Sequence, residues 1–267
     1  MDIVGQLGWV NGLTLLVLGL SVAFCAGVGV CFLLRPNRRK KGDLFFSLLL
    51  FAFALTQTHH ILILLGIYER HPAWLFLPVY YTLSFGPLLF FAVKLWLYST
   101  YRLRASDLKH AILPVCQFVY FVVLFFCPPD FKEGWKRDFY SPFYGAMEML
   151  LYIGTFYAYL YAAYRYIRYK NGYLRHSKNE RARQQVLWLK RLVQVLFILF
   201  WIDSAYIVTD FVVYEVLKYD LHTVRGFTRV GDISFALLGL WSAWWGARTL
   251  FRRGKILSAL RKRAAVV

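Results

Sequence analysis

The sequence predicts an all-α polytopic membrane protein: a bundle of seven transmembrane helices, with the N-terminus outside the cytoplasm and the C-terminus inside. Three observations carry this. The 267 residues are 59% hydrophobic and 17% charged, with a mean hydropathy of +0.48, and a soluble domain of that size covers its surface with more charge. The apolar residues gather into runs close to the roughly 20 residues that a helix needs to span the hydrocarbon. Lysine and arginine alternate between rich and poor blocks along the chain, and positive residues stay cytoplasmic.

The first helix is expected over residues 9–34, followed by the basic run Arg35-Pro36-Asn37-Arg38-Arg39-Lys40-Lys41. The leading MDIVGQLGWVNG has no basic stretch, so this helix is expected to be retained and not cleaved. The second covers 44–67, and a short turn through Glu69, Arg70 and Pro72 leads to a third ending near Tyr98. A basic loop to Lys109 precedes the fourth, 112–126, with Pro114 in its first turn, where proline costs least. Residues 127–143 read as interfacial, with Trp135, Phe139 and Tyr140 at headgroup level. The fifth helix covers 146–167. A polar loop runs to Arg183, and its second half, SKNERARQQVLWLKR, reads as a helix entering the sixth span at 192–217. The seventh covers 230–250. A basic amphipathic tail, 251–267, groups Ile256, Leu257 and Leu260 among Lys255, Arg261, Lys262 and Arg263, as a helix lying on the inner membrane surface does.

Orientation follows from counting. The loop after helix one, the loop after helix three, the stretch Arg165 to Arg191 and the tail from Arg248 hold 24 Lys and Arg, against seven on the opposite side. Lys94 lies inside a span, near its inner end, where it can snorkel. The bias orients the chain as a multi-pass membrane protein with its basic loops cytoplasmic. It also disposes of a nucleic-acid reading of the +18 net charge, because the basic blocks sit between apolar segments and face lipid headgroups. Cys25, Cys31, Cys116 and Cys127 make no disulfide framework or CxxC site. No internal repeat supports an inverted-repeat transporter.

Ionisable groups at membrane depth are costly and mark function by default. They are His59 and His60 on helix two, Glu148 on helix five, Asp203, Asp210 and Glu215 on helix six, and Asp232 on helix seven. With the orientation fixed, they converge on the outward half of the bundle. Asp203 and Asp210 share a helix face, as do Thr56 and His60. Tyr80, Tyr81 and Ser84 on helix three reach similar depth, and Tyr152 lies one turn below Glu148. An outward-facing polar pocket between helices is the economical expectation. Against it, Glu148, Glu215 and Asp232 are near enough to the interface to be simply hydrated, and Asp203 could hydrogen-bond only for packing. For the histidines, pairing with an aspartate competes with a metal site built from His59, His60, Asp203 and Asp210, and no HExxH or comparable spacing selects the metal. No cofactor is expected. A retinal Schiff base in particular lacks its lysine, since 230–250 contains none.

The stretch Leu83-Ser84-Phe85-Gly86-Pro87-Leu88-Leu89-Phe90-Phe91-Ala92-Val93-Lys94, then Asp107-Leu108-Lys109-His110-Ala111-Ile112-Leu113-Pro114, resembles the FGPLLYFYVKSL and LxHFLP pattern of bacterial membrane-bound AraC-type transcription regulators. Gln185-Val186-Leu187-Trp188-Leu189-Lys190-Arg191-Leu192 resembles the LxWLRxL segment of the same N-terminal membrane region. The resemblance covers nearly the whole chain, and it implies a membrane region that senses something and passes a signal inward. The family's DNA-binding domain has no counterpart in the 17 residues after Leu250, so the expected route is a separate cytoplasmic partner and not direct contact with nucleic acid. Gly86-Pro87 reads as a kink or close-packing point in helix three.

Three functions are compatible with these residues. A sensor or receptor-like module would bind a small or lipid-like ligand in the outer pocket. An intramembrane enzyme would use Asp203, Asp210, Glu148 and His60 as general acid and base on a hydrophobic substrate. A transporter would also need an inward-opening cavity, which the basic and aromatic inner half does not suggest.

Overall fold

The computed structural model describes residues 8–34, 40–134, 144–175, 179–219, 221 and 224–264, and these are helical with no strand among them. The basic run 35–39, the interfacial Trp135, Phe139 and Tyr140, the Glu215 side chain and the side chains of the tail lie outside what is described. The long helices are α1 (Trp9–Leu33), α2 (Lys40–Leu64), α3 (Phe85–Leu97), α4 (Ile112–Phe125), α5 (Tyr144–Leu174), α6 (Glu180–Glu215) and α7 (Arg225–Ala264). Among the described residues, four segments are long and apolar enough to cross a membrane: Trp9–Leu33, Lys41–Leu64, Ala105–Phe125 and Ala182–Tyr214.

The helices close into a ring. α1 packs on α2 and α7, α2 on α3, α3 on α5, α5 on α6 and α6 on α7, while α2 also reaches α7 across the ring. The inward faces follow helical spacing. In α2 the buried stripe is Phe46, Leu49, Leu50, Phe53, Thr56 and Gln57, and in α6 it is Val186, Leu189, Val193, Leu196, Phe200, Asp203 and Asp210. Between apolar helices in lipid, close packing replaces the hydrophobic drive, so small residues sit where backbones approach. Gly246 of α7 shows this: a Cβ there would meet Phe46 at 2.8 Å and Val28 at 2.9 Å. α4 stands apart from the ring, packed chiefly on the short turns Thr82–Ser84 and Ala105–Ala111, and within it only Gln117, Phe121 and Leu124 are buried.

The third helix differs from expectation. Where one span ending at Tyr98 was expected, the chain makes a 3-10 turn at Pro72–Trp74, runs non-helical through Tyr81, turns again at Thr82–Ser84, and only then enters α3. Pro78 is the reason. It lacks an N–H and disfavours helix in the residue before it. Tyr80 and Tyr81 therefore sit on an unwound segment and not on a helix. The exposed amides find side chains instead: the Tyr81 N–H donates to Thr56 Oγ1 at 3.0 Å and the Leu83 N–H to Gln117 Oε1 at 3.1 Å. Gly86 is a close-packing point at the start of α3, where a Cβ would meet the Tyr159 ring at 2.6 Å. The fifth helix extends to Leu174, beyond the expected 167, and α7 runs on through the tail region as far as Ala264.

Candidate functional site

A cavity of about 320 Å³ opens at the end of the bundle where α2 and α6 finish and α5 and α7 begin. α2 contributes His60 and Ile63, the unwound segment Tyr80 and Thr82, α5 Met149 and Tyr152, α6 Asp203, Tyr206 and Ile207, and α7 Thr228, Arg229, Gly231, Asp232 and Phe235. It is a chamber with mostly apolar and aromatic walls and a few converging polar groups, the usual composition of a small-molecule site.

Helical spacing aims the polar groups inward. Asp203 follows Phe200 by three residues on the buried stripe of α6, and it is 3% exposed. Its Oδ1 accepts from Ser234 Oγ at 3.0 Å and its Oδ2 from the Tyr152 hydroxyl at 3.3 Å, both neutral donors. Asp232 has charged company. The Arg229 Nη1 donates to Asp232 Oδ2 at 2.9 Å and the His60 Nδ1 to Oδ1 at 3.1 Å. Arg229 Nε donates in turn to Asn11 Oδ1 at 2.9 Å, so this one carboxylate ties α1, α2 and α7 together. Because the carboxylate accepts, the proton of His60 sits on Nδ1. The His60 ring packs against Phe235, with centroids 5.4 Å apart.

The sequence-predicted residues divide into two groups. His60, Tyr80, Tyr152, Asp203 and Asp232 line the cavity. His59, Tyr81, Ser84, Glu148 and Asp210 do not. His59 Nδ1 shares a 2.8 Å hydrogen bond with the Tyr68 hydroxyl, and its ring packs at a tilt against Tyr80, with centroids 5.1 Å apart. Tyr81 donates its hydroxyl to the Pro78 carbonyl at 2.6 Å, and Ser84 donates to the Tyr81 carbonyl at 2.6 Å. Glu148 is buried behind the wall and accepts from Gln117 Nε2 at 2.6 Å, while the same amide reaches Thr82 Oγ1 at 3.0 Å. Asp210 shares the buried face of α6 with Asp203 but stands outside the lining. Among the described residues no group of three or more His, Cys, Asp and Glu gathers as metal ligands would.

Sequence reasoning missed Arg229, Asn11, Ser234 and Gln117. Arg229 counted only as a loop cation, and Asn11 lies before the apolar run proper. Gln117 did carry a signal, as the one amide in the apolar run Val115 to Phe125. The chain matches no protein-family model and no curated protein.

Proposed function

We propose that this chain is a seven-helix sensor of the bacterial inner membrane, N-terminus outside, which takes a small or lipid-like ligand into the outward-facing cavity and reports it to a cytoplasmic partner. The observation that carries the reading is the cavity itself, where a buried carboxylate and a His–Asp–Arg cluster converge among aromatic walls. Ionisable groups at that depth are rarely retained without use.

Helix lengths support the reading of seven crossings. The 13 residues of α3 rise about 20 Å, and the extended segment before it adds enough reach to cross the roughly 30 Å of hydrocarbon. α5 and α7, with 31 and 40 residues, exceed that thickness. The orientation rests on 24 basic residues against seven. Signalling is supported by the resemblance to the membrane region of AraC-type regulators, and the ring of packed helices between the two faces supplies a physical path for it.

An intramembrane enzyme is the second reading, because Asp203 and His60 face one chamber and could act as acid and base. Purified protein in mild detergent, incubated with a total lipid extract and analysed by mass spectrometry, separates the two. A retained, unchanged molecule lost in the blocking variant Ile63→Trp supports the sensor. Continuing turnover abolished by Asp203→Asn supports the enzyme. No Ile63→Trp-sensitive molecule in either form would sink both.

A further inference from the structure

We infer that the cavity takes its ligand by a positively charged amine head, held by the Asp203 carboxylate among the aromatic walls. This deepens the ligand-cavity reading above and depends on it.

The charges of the chamber decide the sign. Arg229 and Asp232 are already spent on each other, with Arg229 Nε also engaged by Asn11 and the His60 Nδ1 by Asp232. Asp203 is different. Among the described residues no Lys, Arg or His nitrogen lies within ion-pair distance of it, and its two oxygens accept only from the hydroxyls of Ser234 and Tyr152. A carboxylate this buried keeps unmet demand for a cation, which neutral hydroxyls offset only in part. An anionic head would be repelled there, and the nearby Arg229 already gives two of its three nitrogens to Asp232 and Asn11. A cationic head gains a charge-assisted hydrogen bond from Asp203. It also meets the aromatic side chains of Tyr152, Tyr206 and Phe235, which line the same space, and aromatic rings attract cations. The apolar remainder of the ligand then meets Ile63 and Ile207 toward the open end.

Three probes with one tail and different heads test this: decylamine, decanol and decanoate, titrated against the full chain in zwitterionic-lipid nanodiscs by thermal unfolding. Binding that Ile63→Trp abolishes is assigned to the cavity. The expected result is an amine affinity at least about tenfold above that of decanol, with decanoate weakest. Asp203→Asn should erase the amine preference over decanol, while Asp203→Glu keeps it. Should Asp203→Asn fail to fold, the wild-type comparison and Asp203→Glu decide. Equal affinity for amine and alcohol, or an amine preference untouched in Asp203→Asn, overturns the inference. If decanol or decanoate binds in an Ile63→Trp-sensitive way and the amine is no better, the ligand cavity stands and the cationic head falls. If no probe binds so, both fall.

Discussion

Asp232 shows how a single carboxylate can serve architecture and site at once. It accepts from Arg229 and His60 while its side chain stays 13% exposed, and Arg229 reaches on to Asn11. Removing one partner of such a pair leaves the other charge poorly solvated, which costs more than the pair contributes when intact. Asp232→Asn is therefore expected to lower stability by about 2 kcal/mol, less than for a fully buried pair because water still reaches its edge. Arg229→Gln with Asp232→Asn should cost less than the two singles added, with a coupling of about 1–2 kcal/mol in thermal unfolding. Additive losses would show that the 2.9 Å contact does not couple the two helical positions to stability. Asp203 is the opposite case. Among the described residues its partners are the neutral hydroxyls of Ser234 and Tyr152.

At the scale of elements, the unwound segment before α3 is the decisive feature. Non-helical backbone survives at membrane depth only where protein satisfies it, and here Thr56 and Gln117 do so. The same amide of Gln117 joins Thr82 and Glu148, so it links α4, the unwound segment and α5. α4 is little buried and lacks a place in the ring, so this polar contact carries an unusual share of its attachment. Gln117→Leu should destabilise the fold by about 1–3 kcal/mol by stranding the Leu83 N–H and its neighbours. Hydrogen exchange should rise first in residues 79–84 and in α4. Unchanged protection there would refute this role. The element also marks the limit of sequence reading. Spans such as α1 and α2 were legible because an apolar run of roughly 20 residues marks a crossing whatever it packs against. Pro78 was visible, yet whether a proline kinks or unwinds a helix depends on which side chains can receive its orphaned amides, and Thr56 and Gln117 come from distant segments. The cavity was legible as a cluster of costly residues at one depth. Which of them faces inward was not: His59 and His60 are neighbours in sequence, and only the rotation of α2 sends one to the chamber and the other to Tyr68.

Across the whole molecule, the cavity has a floor. Next to Asp203 and Tyr152 lies a buried aromatic layer, with Phe53 stacked on Phe85 at 4.4 Å and Phe156 edge-on to Phe200 at 4.4 Å. Toward the basic end follows a second layer, where Trp188 stacks on Trp245 at 3.8 Å and Trp96 donates its indole N–H to Asp43 at 2.7 Å. On the sensor proposal, these two packed layers would separate the chamber from the basic face. Substituted-cysteine labelling tests this together with the orientation. In a background with Cys25, Cys31, Cys116 and Cys127 replaced by alanine, Ile63→Cys at the chamber should react with a membrane-impermeant maleimide on intact spheroplasts and be protected in inverted vesicles. Ser242→Cys, buried one layer deeper on α7, should react from neither side. Labelling of Ile63→Cys only in inverted vesicles would reverse the assigned orientation. Labelling of Ser242→Cys from the cytoplasmic side would reveal an inward opening, and with it the alternating access that a transporter requires.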